Sequence, residues 1–260
     1  MIKLADILKE ASSSKRAIIM AGSAGAGKST FVKQIRPELK KAGWEELNAD
    51  KYVEDEASPM YKNLTRASQQ IEKVDLPTAI KAGKGFIYDT TGANVERAKG
   101  IVDSGYNVMM VMVYTHPIVS FLRNFSRERR VPTIGVLTSW NNVYKNIAEY
   151  RGLFGSNFVL TQTGTSQEEE AEIKEFEKAY KSGKLKEYFS NLLSSGKFAS
   201  TFKKDPAKQK TPEEIAKSKE QLNKQIDSLA SQFDSIEKQV SQLKTADLDQ
   251  AVSKAKAFIK

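Results

Sequence analysis

Residues 20–30 read MAGSAGAGKST and contain an uninterrupted match to the pattern G-x-x-x-x-G-K-[ST] at positions 22–29. Glycines at these spacings let the backbone curl, so that successive N–H groups point towards an anion such as a chain of phosphates. The lysine of this pattern reaches the β- and γ-phosphates of a nucleotide, and the serine that follows is a ligand for Mg²⁺. The stretch therefore predicts a nucleoside triphosphate site, with Lys28 on the phosphates and Ser29 on the metal.

The residues expected to bind the nucleotide are consecutive in the chain: Gly22, Ser23, Ala24, Gly25, Ala26, Gly27, Lys28, Ser29 and Thr30. The loop needs a strand before it and a helix after it, because the helix N-terminus adds positive partial charge. Residues 17–20 predict a short strand, and residues 30–36 predict a helix that ends before Pro37. The alternative is a glycine-rich turn that occurs by chance. The motif alone does not say whether the γ-phosphate goes to water, to a substrate or nowhere.

Two aspartates follow predicted strands and could complete a phosphotransferase, which needs an acceptor base and a carboxylate near the metal. Asp50 lies in NADKY, soon after the weak strand candidate at residues 44–48. It could accept the proton of an acceptor hydroxyl, or it could cap a helix N-terminus. Asp89 ends an apolar run and is followed by two threonines. It could reach Mg²⁺ through water or orient another side chain, or it could belong to a turn.

Four arginines crowd the stretch FLRNFSRERRVP, namely Arg123, Arg127, Arg129 and Arg130. Arg123 and Arg127 are four residues apart and share one helix face. Guanidinium groups match phosphate oxygens, and like charges on one face repel each other unless an anion neutralises them. We interpret the stretch as a lid over the transferring phosphate. The alternative is a solvated basic helix end.

The remaining polar and aromatic candidates indicate structural roles. His116 is the only histidine, and the sequence offers no partner set for a zinc site or a Ser-His-Asp arrangement. Trp140 and Tyr144 are four residues apart, at helical spacing, and are expected to pack in the core.

Apolar runs that alternate with helical patterns must place these residues. The runs lie at residues 17–20, 85–89, 107–114 and 157–160, with the weaker candidate at 44–48. Continuous apolar runs of this kind indicate an α/β fold, with a mostly parallel sheet covered by helices on both faces. Ligands of such sheets bind beyond the carboxyl ends of the strands, which is where the candidate residues lie.

The composition changes after the predicted sheet. We expect a nucleotide-binding domain at residues 1–164, a helical extension at 165–198, a linker at 199–212 and a long amphipathic helix at 213–260. Within that last helix, apolar residues alternate at spacings of four and three: Leu222, Ile226, Leu229, Phe233, Ile236, Val240 and Leu243. The pattern predicts either an oligomerising coiled coil over residues 215–243 or a helix that folds back on its own chain.

The composition bounds the class of protein. The chain has 260 residues, a formal charge of +9 and no cysteine. Disulfides are excluded and a reducing compartment such as the cytoplasm is expected. No apolar run is long enough to span a bilayer, and the N-terminal residues 1–16 predict a short amphipathic helix. The positive charge suits a polyanionic partner such as nucleic acid, or it reflects a lysine-rich solvated surface.

Taken together, these residues resemble the kinase domain of the phage polynucleotide 5′-kinase family, from about residue 16 to residue 154. Beyond the loop, the similarity rests on Asn-x-Asp-x-Tyr at 48–52, on Asp89-Thr90 with NVER at 94–97, and on Arg-Asn-x-x-Arg at 123–127. The resemblance implies ATP and Mg²⁺ as cofactors and an acceptor base at Asp50. It implies that Lys28 and Arg127, assisted by Arg123, stabilise the transferred phosphoryl group, that Ser29 holds Mg²⁺, and that Asp89 supports the metal.

The sequence departs from that family where the acceptor binds. Val53 stands where the family usually has an arginine that grips an acceptor phosphate, and the segment between Asp89 and Glu96 is one residue longer. From residue 165 on, nothing matches the Asp-x-Asp-x-Thr of the family's phosphatase domain. Zeta-toxin-like kinases share the architecture and phosphorylate nucleotide sugars.

Three hypotheses follow. The first is a kinase that transfers the γ-phosphate of ATP to a hydroxyl, most simply the 5′-OH of a polynucleotide. The second is a kinase for a small molecule or a nucleotide sugar. The third is an assembly protein that acts through its coiled-coil tail and uses the nucleotide as a switch.

Overall fold

The computed structural model describes residues 15–127, 131–195 and 211–260. The described part of the chain contains one parallel sheet, formed by β1 (Arg16–Ala21), β2 (Glu45–Asn48), β3 (Phe86–Asp89), β4 (Asn107–Tyr114) and β5 (Phe158–Gln162). Its strand order is β2-β3-β1-β4-β5. The strands are rich in buried apolar residues, as expected of a parallel sheet with both faces covered. The predicted α/β fold is confirmed.

The helices follow the strands along the chain. They are α1 (Lys28–Lys41), α2 (Asp50–Glu54), α3 (Leu64–Gln70), α4 (Leu76–Ala82), α5 (Val95–Asp103), α6 (Pro117–Phe125), α7 (Thr133–Tyr144), α8 (Ile147–Phe154), α9 (Gln167–Lys181), α10 (Leu185–Ser194), α11 (Pro212–Gln242) and α12 (Leu248–Ile259). A π-helical turn (Ile71–Asp75) joins α3 to α4, and a 3₁₀ turn (Gly155–Asn157) precedes β5.

The register of the strands brings the predicted site residues to one edge. Met20, the last but one residue of β1, lies opposite Asp89 of β3, and Asp89 lies opposite Asn48 of β2. The loop after β1, helix α2 after β2 and the residues after β3 therefore begin side by side. This edge is the one at which ligands of parallel α/β sheets bind.

The two faces of the sheet are covered unequally. Helices α4 to α11 contribute to one large apolar core, whereas the other face is covered by α1 and α12. The chain between α11 and α12 passes the β5 edge, where the Ala246 N–H donates to the Leu160 carbonyl oxygen at 2.9 Å. The C-terminal segment thus covers both faces of the sheet and protects its β5 edge.

The structure corrects two expectations about helices. Helix α1 continues through Pro37 to Lys41 instead of ending at Arg36. The turn after the proline buries Leu39 in the core, which contributes to the stability of this last part of the helix. The helix expected at 213–260 is two helices, because the chain breaks at residues 243–247 to pass the edge of the sheet.

The apolar seam of α11 lies against the protein's own core. Ile226, Leu229, Phe233 and Ile236 are buried there, and the Phe233 ring lies 6.2 Å from the ring of Trp140. Of the two alternatives for residues 215–243, the structure has the helix that folds back on its own chain. The four buried side chains named above are covered and do not form an open seam for a second chain.

Some predictions from the sequence concern residues that the structure does not describe. The predicted N-terminal helix, most of the linker at 199–212, and both Arg129 and Arg130 lie outside the described residues. Within the described residues, no helix combines the length and the apolar character that crossing a bilayer requires.

Candidate active site

The loop at residues 22–27 joins β1 to α1 and has the shape of an anion cradle. Gly25 and Gly27 have φ angles of 80° and 96°, which glycine adopts without strain. A Cβ atom at Gly27 would lie 2.6 Å from the Thr163 side chain, so the β5–α9 loop closes directly over this glycine. Gly27 is the N-cap of α1 and supplies no side-chain cap. The first N–H groups of the helix are therefore left for an anionic ligand.

Lys28 turns back over the loop. Its Nζ donates to the Gly22 carbonyl oxygen at 2.8 Å. Burial lowers the pKa of Lys28, whereas the negative charge of Asp89 raises it. Arg127 and Asp50 also act electrostatically on this ammonium group. A lysine with these neighbours lies where the phosphates of a nucleotide on the loop would be.

Asn48 connects the two predicted aspartates. Its Nδ2 donates to Asp89 Oδ2 at 3.1 Å, and its Oδ1 accepts from the Asp50 N–H at 2.8 Å. The pKa of Asp89 is raised to about 6, mainly by burial and in part by the nearby charge of Asp50, against the opposing effect of Lys28. Asp89 is therefore a carboxyl group that a cation in the site would drive into its ionised form.

Helix α2, which carries Asp50, is held from the π-helical turn. Asp75 accepts from the Tyr52 hydroxyl at 2.6 Å and from Gln70 Nε2 at 3.0 Å, and Lys51 Nζ lies 3.3 Å from its carboxylate. The helix has only five residues and no side-chain N-cap. These contacts fix a short helix that could not hold its position alone.

The two described arginines of the predicted lid, Arg123 and Arg127, have different surroundings. Arg127 is exposed and acts electrostatically on both Lys28 and Asp89. Arg123 instead forms a two-pronged ion pair with Glu169, at 2.7 and 3.0 Å, and donates to the Gly164 carbonyl oxygen and to Thr163. Arg123 thus fastens the β5–α9 loop over the glycine loop. Its expected contact with a transferring phosphate stays a prediction.

The donors at the site fit a magnesium ion that is bound mainly through nucleotide phosphates. Mg²⁺ in such sites takes one or two carboxylates and keeps its other positions for phosphate and water. The negative charge of Asp50 acts on Asp89, so these two carboxylates are near each other, and Ser29 is exposed in the first turn of α1. Across the described residues, no group of three or more His, Cys, Asp and Glu side chains could hold a metal alone.

A cavity of about 240 Å³ opens beside this edge. Its wall includes the residues that follow β3, from Thr90 to Asn94, together with Tyr88 and Tyr150. Arg97 and Glu72 form an ion pair of 2.5 Å at this cavity. The Gly22 N–H donates to the Thr91 carbonyl oxygen at 3.1 Å, so the cavity adjoins the glycine loop.

His116 has the structural role that the sequence predicts. Its Nδ1 accepts from the Ile118 N–H at the start of α6, and its ring contacts those of Phe176 and Phe233 edge to face. Burial lowers the pKa of His116 to about 3, so the imidazole is neutral at physiological pH.

Sequence reasoning missed two kinds of contact. It included Asn48 in a motif without foreseeing that this side chain joins Asp50 and Asp89. It expected Tyr144 only to pack, whereas the Tyr144 hydroxyl contacts Ser23 of the glycine loop. No signal in one sequence separates a tyrosine that only packs from one whose hydroxyl finds a partner.

Three solved structures are similar to this chain at low identity. A protein of the PezAT chromosomal toxin-antitoxin system of Streptococcus pneumoniae is 15% identical and has a TM-score of 0.43; the match covers 63% of this chain and 77% of that one. A gluconokinase from Sinorhizobium meliloti 1021 is 15% identical with a TM-score of 0.38, covering 58% and 85% of the two chains. A shikimate kinase from Acinetobacter baumannii is 16% identical with a TM-score of 0.37, covering 65% and 95%.

Scores this low do not support an assignment of function, and no curated protein matches the sequence. The family comparison is decisive instead. The model of the family described as Zeta toxin matches residues 3–147, which is more than half of the chain and includes the glycine loop, both aspartates and both lid arginines. The chain belongs to the Zeta toxin family.

Proposed function

We propose that the protein is an ATP- and Mg²⁺-dependent phosphotransferase that moves the γ-phosphate of ATP to an acceptor hydroxyl. The observation that carries the proposal is the meeting of Lys28, Asp89, Asp50 and Arg127 beside an uncapped helix N-terminus. A site that only bound a nucleotide would not need a second carboxylate at the position of Asp50.

Each residue has a proposed task in the transfer. Lys28 and Arg127 neutralise the charge that spreads over the transferred phosphoryl group. Asp50 accepts the proton of the acceptor hydroxyl. Mg²⁺, held by Ser29 and Asp89 together with the phosphates, would neutralise the phosphate charge. Arg123 acts mainly through the β5–α9 loop that it fastens.

The acceptor that we favour is a small molecule with a hydroxylated ring, such as a nucleotide sugar. The cavity next to the loop has the volume of about one or two rings, and tyrosines, threonines and an Arg–Glu pair line it. Such walls offer hydrogen bonds to the hydroxyl groups of a sugar. The family to which the chain belongs supports the same choice.

The second candidate acceptor is the 5′-OH of a polynucleotide. It is favoured by the formal charge of +9 and by the Asn-x-Asp-x-Tyr and Arg-Asn-x-x-Arg motifs at residues 48–52 and 123–127. Val53, which replaces an arginine expected for that acceptor, weighs against it.

One experiment tests the reaction and separates the acceptors. Purified protein with γ-labelled ATP and Mg²⁺ is offered a 5′-hydroxyl oligonucleotide and, separately, a panel of nucleotide sugars. We expect label on a nucleotide sugar, at least 100-fold less with Asp50→Asn, and an unchanged rate with the exposed Asp103→Asn as a matched control.

The outcomes are distinct. Label on the oligonucleotide alone would replace the favoured acceptor with the second one. Full transfer by Asp50→Asn would remove Asp50 from the role of base. ATP binding without transfer to any acceptor would contradict the proposal of a phosphotransferase.

A further inference from the structure

Two buried hydroxyl groups hold the first half of the glycine loop. Ser23, Ser120 and Tyr144 are fully buried. The Tyr144 hydroxyl accepts from the Ser23 N–H at 3.2 Å and donates to the Val113 carbonyl oxygen at 2.8 Å. The Ser23 hydroxyl lies 2.6 Å from the Ser120 hydroxyl and 3.2 Å from that of Tyr144. Ser23 is thus tied to α7, through Tyr144, and to α6, through Ser120.

The bonds form a chain in which each proton has a destination. Tyr144 has one hydroxyl proton, which it uses to donate a hydrogen bond to the Val113 carbonyl oxygen. The Tyr144 oxygen is then left to accept from Ser23, as the geometry requires. Burial raises the pKa of Tyr144 to about 12, so the phenol keeps this proton at physiological pH.

The C-terminal helix supports the tyrosine from behind. The ring of Tyr144 lies 5.0 Å from that of Tyr114, whose hydroxyl is bonded to Glu237 of α11. Asn141, one turn before Tyr144 on α7, donates to the Gln225 carbonyl oxygen of α11 at 3.0 Å. Helix α11 therefore holds α7 in place, and α7 in turn holds the glycine loop through Tyr144.

We propose that Tyr144, together with Ser120, is a positioning residue of the phosphate-binding loop: the two hydroxyl groups hold Ser23 so that the loop is shaped for a triphosphate before the nucleotide arrives. The inference rests on the proposed function, because it assumes that the loop binds ATP. If the loop already has its binding conformation, no part of the binding free energy is used to order it, and the affinity for the nucleotide is higher. Without the hydroxyl, the Ser23 N–H and the Val113 carbonyl lose their shared partner in a buried place.

The test compares two tyrosines that each lose a buried hydroxyl. Tyr144→Phe removes the bonds to Ser23 and Val113. Tyr106→Phe removes bonds of the same kind to Ala79 and Lys84, away from the loop. Calorimetric titration of the full chain with ATP and Mg²⁺ gives the Kd, and thermal unfolding gives the stability of each variant.

We expect both variants to lose stability and only one to lose affinity. Tyr144→Phe should raise the Kd for ATP by about tenfold, the equivalent of roughly 1.4 kcal/mol, while Tyr106→Phe changes it less than about twofold. At saturating ATP the transfer rate of Tyr144→Phe should be within about twofold of wild type. A Kd that is equal in the two variants would show that Tyr144 is a core residue only.

Three further outcomes are informative. If Tyr144→Phe does not fold, Ser120→Ala takes its place, since it removes the second partner of the Ser23 hydroxyl, and an unchanged Kd in Ser120→Ala overturns the proposal. Wild-type protein that binds no ATP would overturn the proposed function as well. Binding that is equally tight in wild type and Tyr144→Phe overturns the positioning role alone.

Discussion

At the scale of single residues, the site contains buried ionisable groups that lower the stability of the ligand-free fold and that a ligand can stabilise. Asp89 is a carboxyl group whose pKa burial raises to about 6, next to a lysine whose pKa burial lowers. Each group is partly desolvated, and each is stabilised when its charged partner or a ligand is present. Groups with perturbed pKa values at the carboxyl edge of a parallel sheet are typical of active sites.

The residue types at this edge could be predicted from the sequence, but their partners could not. Strand ends place Asp50 and Asp89 near the loop, because the carboxyl ends of parallel strands align. The division of labour between Arg123 and Arg127 depends on Glu169, which lies 46 residues beyond Arg123 in the chain. A spacing of four residues shows that two arginines share a helix face and does not show which anion each one meets.

The raised pKa of Asp89 predicts a gain of stability when its charge is removed. The unfolded chain has the ordinary aspartate pKa near 3.8, so between about pH 4 and pH 6 the folded state binds more protons. Its stability therefore falls as the pH rises through this window. We expect ligand-free Asp89→Asn to be more stable than wild type at pH 7.5, on the order of 1–2 kcal/mol, with a smaller difference at pH 4.5.

Urea unfolding at the two pH values measures this difference, and transfer activity should be lost in the same variant. A variant that is less stable than wild type at pH 7.5 would mean that the attraction of Lys28 outweighs the burial of Asp89.

At the scale of elements, local rules located the strands and several of the helices, and tertiary packing overrode them at identifiable places. The strand β4 has the predicted bounds, because the seven consecutive residues of apolar character at 108–114 leave little alternative. Pro37 ends helices by local rules, but α1 continues past it to Lys41 and buries Leu39 in the core. The helix breaks at residues 243–247 because the chain there bonds to the edge strand β5. The heptad periodicity of α11 carries no information about this contact.

Helix α9 shows how one cap serves two elements. Glu169 closes the capping box with Ser166, and its carboxylate also accepts hydrogen bonds from the guanidinium group of Arg123. The Arg123 hydrogen bonds lower the pKa of Glu169, so the pair stabilises the fold above the ordinary glutamate pKa and is lost as the pH falls. We expect Glu169→Gln to lower the free energy of unfolding by about 2 kcal/mol at pH 7, since a charged hydrogen-bond acceptor is lost.

Chemical unfolding of Glu169→Gln is compared with that of Glu175→Gln, an exposed position on the same helix. The control should stay within about 0.5 kcal/mol of wild type. Equal effects of the two substitutions would show that the Arg123–Glu169 pair contributes no more than a surface ion pair.

At the scale of the whole molecule, the C-terminal segment belongs to the fold that forms the site. Helix α11 covers the face of the sheet that also bears α6 to α10, and α12 covers the opposite face beside α1. The guanidinium group of Arg16, in the first strand, donates to the Phe258 carbonyl oxygen near the C-terminus at 3.0 Å. The periodicity of residues 215–243 showed which face of the helix is apolar. It could not show whether the surface that covers this face belongs to the same chain.

That distinction can be measured at two positions of α11. Leu229 is fully buried in the core, whereas Ile215 on the same helix is 56% exposed. Because the seam packs within one chain, Leu229→Ala should lower the free energy of unfolding by about 2–5 kcal/mol. The unfolding midpoint of each variant should not depend on protein concentration, and Ile215→Ala should change stability by less than about 0.5 kcal/mol. A seam shared between chains would behave differently, since dissociation would accompany unfolding and the midpoint would rise with concentration. A midpoint that depends on concentration in wild type, but not in Leu229→Ala, would therefore support the coiled coil between chains. A loss of stability that does not depend on concentration assigns the apolar seam to the fold of the single chain, which holds the glycine loop.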